Sequence, residues 1–123
     1  MGSEDTLWVY DQDKLIFQSA EKGLIPLLDY IHNFVPQTKG AVVFDRVVGN
    51  AAALLLKEAL CTEVYSFLGS QLAIRSLDSF GIKYYFSRVV TRILNNLGND
   101  ICPMEKLSLG KSPEEFYKAV RRY

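Results

Sequence analysis

The chain is poor in the residues that build metal centres and covalent scaffolds: it has one histidine, His32, and two cysteines, Cys61 and Cys102. Two thiols so far apart in sequence make no disulfide framework, and they raise the expectation of reduced thiols in a cytoplasmic protein. An excess of charge of one sign is also missing. Basic and acidic side chains cancel at 14 each, so the basic excess that a nucleic-acid polymer binder normally carries is absent. No apolar run approaches the ~20 residues that span a bilayer. The longest, Ala51 to Leu56, follows closely on Asp45 and Arg46. The opening residues, Met1-Gly2-Ser3-Glu4-Asp5, are polar and acidic, unlike a secretory leader. These absences leave a globular composition, 49% hydrophobic and 23% charged, at a length that one domain uses to bury a core. The expectation is one domain over residues 1–123, with no membrane partner.

Local pattern orders the elements. Leu7-Trp8-Val9-Tyr10 and Lys14-Leu15-Ile16-Phe17-Gln18 are β-type runs joined through Asp11-Gln12-Asp13, and they read as a hairpin. Leu24, Leu27, Leu28, Ile31 and Phe34 recur at helical spacing. Pro26 fits only a first turn, so that helix starts near Gly23 to Ile25. Ala41-Val42-Val43-Phe44 is a continuous apolar run of the central-strand type, ended by Asp45. A helix apolar nearly all round is predicted from Val47 to Leu60, with Gly49 and Ala51 to Ala53 small enough for close packing on a sheet. Glu63 to Leu68 reads as a strand. Ser70 as N-cap and Gly81 at C′ bracket a helix carrying Leu72, Ala73, Leu77 and Phe80. Ile82, Tyr84 and Phe86 alternate with Lys83 and Tyr85 in a half-exposed strand, suited to a dimer edge. Val90, Ile93, Leu94 and Leu97 predict a further helix ended by Gly98, and Asn99 to Leu109 a loop. Ser112-Pro113-Glu114-Glu115 is a capping box that opens a last helix over 113–122, with Arg121 and Arg122 at its negative end. The order β-β-α-β-α-β-α-β-α-α implies an α/β domain of three layers, α/β/α, with a mixed sheet opened by the β-hairpin and helices on both faces.

That order is shared with the cytidine deaminase fold, and the resemblance sharpens at several blocks. Glu21-Lys22-Gly23-Leu24-Ile25-Pro26-Leu27-Leu28, the run from Gly40 to Leu56, Val64-Tyr65, Gly81-Ile82 and Cys102-Pro103-Met104-Glu105-Lys106-Leu107 together resemble the uncharacterised bacterial and archaeal family called domain of unknown function 1893. The resemblance implies a cytidine-deaminase-like fold and no established activity. In that family a lysine usually stands where this chain has Asn50. Zinc-dependent deaminases need a His or Cys two residues before a catalytic Glu at one helix start, and Pro-Cys-x-x-Cys at the next. Here the two places read Ser19-Ala20-Glu21 and Asp45-Arg46-Val47-Val48. The glutamate is present and the metal ligands are not. His32 lies roughly 20 Å along the first helix from Ser19 at ~1.5 Å per residue, and Cys61 lies at the far end of the second helix. Neither a metal nor a cofactor is expected.

In an open α/β sheet, ligands bind beyond the carboxyl ends of the strands, where helix N-termini point. Two such ends are predicted side by side, Ser19 to Gly23 and Asp45 to Asn50, with the Cys102 to Lys106 loop folding over them. Ser19, Lys22, Asp45, Arg46, Gly49, Asn50, Glu105 and Lys106 are the candidate ligand contacts. Glu21 is the candidate acid/base group and Cys102 the candidate nucleophile, its thiol activated by Lys106 and the helix starts. Each has a plainer role as well. Asp45 caps a helix, Gly49 permits close packing, Glu21 with Lys22 and Glu105 with Lys106 form surface pairs, and Cys102 is a buried loop thiol. The function expected is binding of a small polar, nucleotide-like ligand, with or without metal-independent catalysis. The alternative is a structural or protein-interaction domain, for which a homo-oligomer fits.

Overall fold

A computed structural model describes residues 4–95, 97–98 and 100–121 of the chain. Met1 to Ser3, Asn96, Asn99, Arg122 and Tyr123 lie outside the described residues, and with them the outermost part of the predicted helix over 113–122. The elements are β1 (Leu7–Asp11), β2 (Lys14–Ser19), α1 (Ile25–Phe34), β3 (Val42–Val48), α2 (Asn50–Glu58), β4 (Glu63–Ser70), α3 (Gln71–Phe80), β5 (Lys83–Val90), α4 (Pro103–Ser108) and α5 (Pro113–Val120). One five-stranded mixed sheet has the order β2-β1-β3-β4-β5. β1 pairs antiparallel with β2 and β3, and β3, β4 and β5 run parallel.

Local chemistry accounts for most of these boundaries. Pro26 sits in the first turn of α1. The Ser70 hydroxyl accepts the Ala73 N–H at 3.0 Å, and α3 ends on Gly81 with φ 73°, a left-handed residue that costs glycine nothing. Ser112 and Glu115 complete the capping box of α5. The core gathers on one face of the sheet, around Leu7, Val9, Val43 and Val64. Phe17 on that face packs edge-on against Tyr30 and Phe34 of α1. Helix–strand contacts run from α1 to β2, from α2 to β3, and from α3 to β4 and β5. α2 touches α1, α3, α4 and α5 as well, and Asn50 to Leu56 are all buried.

Three expectations need correction. The first concerns the layers. Among the described residues, no helix is packed on the opposite face, where Trp8, Tyr10, Phe44, Tyr65 and Tyr85 touch one another in sequence across four strands. An apolar run such as Ala41 to Phe44 implies a strand covered on both sides, whereas these rings cover one another instead. Second, β3 does not end at Asp45. Val47 and Val48 pair with Leu68 and Gly69 of β4, and these β-branched residues suit a ladder. The helix therefore starts only after Gly49, its N-cap. Third, among the described residues from Val90 to Leu97 there is no helix. Val89 and Val90 extend β5, and Leu94 bridges to Ile101. The predicted loop from Asn99 to Leu109 instead contains α4.

Candidate functional site

The carboxyl ends of β2, β3, β4 and β5 share one end of the sheet, and most of the candidate residues collect there. Leu7 of β1 pairs with Ser19 on one side and Asp45 on the other, which puts those two residues roughly 10 Å apart at about 4.8 Å per strand. The Ser19 hydroxyl accepts the Glu21 N–H at 3.1 Å. Glu21 and Lys22 are exposed, and α1 begins beyond them at Ile25 without a side-chain cap.

At the β3–α2 junction the anion place predicted for a ligand is filled by the chain itself. The Glu105 carboxylate, brought by α4, accepts the N–H of Asn50 at 2.8 Å and of Ala51 at 2.7 Å. Glu105 is 7% exposed. The two bonds satisfy donors at the positive end of α2, where a negative group is favoured. The Asn50 side chain donates to Ser108 Oγ at 2.9 Å and accepts from the Ser76 hydroxyl. Ser108 in turn donates to the Glu105 carbonyl at 2.7 Å. A buried polar network thus links α2, α3 and α4. Gly49 makes it possible, because a Cβ there would lie 2.4 Å from the carboxylate oxygen of Glu105.

Asp45 is not the cap of α2. Its Oδ1 accepts the N–H of Arg46 at 2.8 Å, folding the side chain onto its own strand. In β4 at the same level, the Ser66 hydroxyl donates to the Leu68 carbonyl at 2.8 Å. Part of the Asp45 surface is open, yet its carboxyl group is enclosed, and burial raises its pKa to about 7 against the opposing backbone N–H bonds of Arg46 and Val47. Arg46 donates from Nε to the Asp5 carbonyl at 2.6 Å, and Trp8 donates to the Asp5 carboxylate at 2.7 Å. The segment before β1 is fastened to the sheet in this way.

The remaining candidates stand apart from one another. Lys106 pairs with Asp100 at 2.6 Å on the surface. Cys102 is half-buried at the N-cap of α4, one turn before Glu105, and its N–H donates to the Ile93 carbonyl at 3.0 Å. Glu21 follows β2 at an edge of the sheet. Among the described residues no hydrogen bond joins the Glu21 and Cys102 side chains. His32 is exposed in the last turn of α1, while Cys61 is buried and burial pushes its thiol up to about 12. Among the described residues no group of three or more His, Cys, Asp or Glu side chains could hold a metal ion, and no helix is long and apolar enough to cross a membrane.

A separate cleft lies along β3, β4 and β5, with Phe44, Tyr65 and Tyr85 on the open sheet face and Asp45, Ser66 and Phe86 alternating to the core face. It measures about 430 Å³ and is lined by Phe44, Asp45, Tyr65, Ser66, Phe67, Tyr85, Phe86 and Ser87. The rings of Phe44, Tyr65 and Tyr85 stack at 4.8 and 4.7 Å, with planes 12° and 17° apart, a separation set by the spacing of strands. Phe67 is 63% exposed and Tyr85 49%. The sequence reading passed over this row, although a signal was present. Phe44, Tyr65 and Tyr85 each stand third in their strand, so three parallel strands in register align them.

Comparison with known proteins agrees with this architecture. The whole chain, residues 1–123, matches the family described as a domain of unknown function, DUF1893. The chain belongs to that family. A crystal structure of a DUF1893 family protein from Thermotoga maritima superposes with a TM-score of 0.86 at 28% identity, over 94% of this chain and 78% of that one. No curated protein matches.

Proposed function

We propose that this DUF1893 chain is a small-ligand-binding domain on a cytidine-deaminase-like fold without the zinc set, and that its ligand occupies the aromatic cleft on the open face of the sheet. The observation that carries the reading is the cleft itself: about 430 Å³, walled by the stacked rings of the open face with Ser87 beside them. Its size falls within the roughly 300–1,000 Å³ usual for small-molecule sites, and an apolar lining with a few polar groups is their usual character. The element order supports the fold label. The α2 N-terminus, the natural place for a phosphate, is taken by Glu105, so the nucleotide-like ligand of the sequence reading loses its phosphate cradle.

A thermal-shift screen of small aromatic, cationic and phosphorylated compounds tests the reading. A ligand at about 100 times its Kd stabilises the fold by about 2.7 kcal/mol. Hits should be lost in Tyr65→Ala and kept in Glu21→Gln. Hits lost in Glu21→Gln and kept in Tyr65→Ala would move the site to the β2–α1 loop. The exposure of Phe67, Tyr85 and Val89 favours one second reading, in which another copy of the chain covers this face, with β5 as an edge strand. Sedimentation would then show a dimer that Tyr85→Asp dissociates.

A further inference from the structure

We propose that a second copy of this chain covers the open face of the sheet, aromatic row on aromatic row, in a four-layer α/β/β/α dimer. The inference fixes the second copy considered above as a face-to-face partner. It rests on the binding reading only in sharing its face, since a ligand in the cleft would lie between the two sheets. Parallel strands are almost always covered on both faces, and a sheet face left to water is normally polar. Here β3, β4 and β5 run parallel, and among the described residues the core and its helices lie on one side of them. The other side carries Trp8, Tyr10, Phe44, Tyr65 and Tyr85 in an unbroken row. Alternation along the strands adds Phe67, two residues beyond Tyr65 and 63% exposed, and pairing with Tyr10 adds Leu15, 38% exposed. The apolar surface therefore runs from β2 at one edge to β5 at the other.

The area and the charge of this face fit a copy of itself. Its five strands, at about 4.8 Å spacing and with about five residues of each at about 3.3 Å, make a face of roughly 400 Å² in plan. Two such faces, with the relief of their side chains, bury on the order of 1,000 Å², the least that a specific interface needs. A two-fold interface sets a surface against itself, so a charged centre would repel its own copy. The centre here is a row of rings. At its margin Glu63 and Lys83, opposite in sign, stand across from each other on β4 and β5. The chain carries 14 basic and 14 acidic side chains, so two copies approach without net repulsion. Sheets pack face to face at about 10 Å with their strands within about 30°, a distance at which side chains from the two faces interdigitate. The cleft beside Tyr65, Phe67 and Tyr85 has the sheet as its wall in a single copy. A second sheet supplies another, and small-molecule sites usually enclose most of their ligand.

Sedimentation equilibrium of the full chain, with no ligand added, tests the pairing. The parent should be a dimer at about 100 μM, well above the Kd expected of a specific interface. Phe67→Asp on β4 and Leu15→Asp on β2 each place a charge at an exposed position, so folding is preserved, which circular dichroism checks. Each should weaken the dimer at least about tenfold, because pairing would bury that charge without a partner. Met104→Asp, at a residue 42% exposed on α4 in the helix layer, should leave the dimer within about twofold. A parent that is monomeric at about 100 μM overturns the inference. So does a dimer that Met104→Asp breaks and the two sheet variants leave intact, which puts the interface on the helices. A dimer broken by Phe67→Asp and untouched by Leu15→Asp overturns it as well, because pairing along the β5 edge alone does not reach β2. The ligand reading fails separately: thermal-shift hits on a monomeric chain keep that reading and remove the dimer, and a dimer without hits does the reverse.

Discussion

Replacing Gly49 by alanine isolates the contact on which the start of α2 depends. Gly49 has φ −98° and ψ −169°, extended backbone open to any residue, so the methyl group brings no backbone strain of its own. What it meets is Glu105: the new Cβ would stand 2.4, 2.5 and 2.7 Å from Oε2, Cδ and Oε1. Only the carboxylate can yield, and in yielding it leaves the N–H groups of Asn50 and Ala51. Hydrogen bonds to a charged group contribute about 1.5–3 kcal/mol each, and buried donors left alone cost at the same scale. With Glu105 only 7% exposed, water replaces the carboxylate incompletely, so Gly49→Ala should cost about 2–4 kcal/mol. Glu105→Ala should cost a similar amount, because it strands the same two donors. The decisive figure is the double variant. Once the carboxylate is gone, the methyl group added at position 49 no longer meets it, so the two costs should fall short of additivity by at least about 1.5 kcal/mol. Urea denaturation followed by circular dichroism reads all four corners of the cycle. A Gly49→Ala variant within about 0.5 kcal/mol of the parent, or additive costs in the double variant, would refute the contact.

Two further outcomes follow from burial. Asp45 has a folded pKa raised from 3.8 to about 7, so between these values the folded chain holds a proton that the unfolded chain has lost. Its contribution is fully present below pH about 4, falls as pH rises to about 7, and is flat above. The loss is at most about 4 kcal/mol at 1.36 kcal/mol per unit. Asp45→Asn should therefore flatten the acid-side slope of stability against pH and gain on the parent above pH about 7. An unchanged slope would mean the carboxyl is solvated. Of the two thiols, Cys102 is half-buried and Cys61 is buried with its pKa pushed to about 12. A disulfide reagent at neutral pH should label Cys102 at least about tenfold faster, and equal rates would show that the chain after α2 opens readily. Exposure alone produces that preference, so selective labelling does not by itself identify a nucleophile.

What was legible in the sequence was governed by local chemistry. Ser70, Gly81, Ser112 and the Pro26 turn mark helix ends through groups that bond within a few residues, and all four stand as read. The element order is also as read, though partly by compensation, since the described residues from Val90 to Leu97 form no helix and α4 appears in the expected loop. The start of α2 was misplaced because Val47 and Val48 fit either a helix or a strand by their apolarity. The choice was made by Leu68 and Gly69, some twenty residues away, which pair with them. The open face was hidden for the same reason. Apolar periodicity shows that Phe44, Tyr65 and Tyr85 face something, and it does not say that each faces the next.

The least legible feature, the Glu105 latch, also bears most on function. From sequence, Glu105 and Lys106 read as a surface pair and Gly49 to Asn50 as a place for a ligand. Fifty-five residues separate Glu105 from Asn50, and no spacing rule connects them. Once joined, they change the reading of the whole end of the sheet. A helix N-terminus that holds an internal carboxylate, sealed by Asn50, Ser76 and Ser108, has its donors satisfied and repels a second anion. The free energy that such a site elsewhere spends on a phosphate here fastens α4 to α2. Under the proposed reading, binding falls to the aromatic face that no helix covers among the described residues.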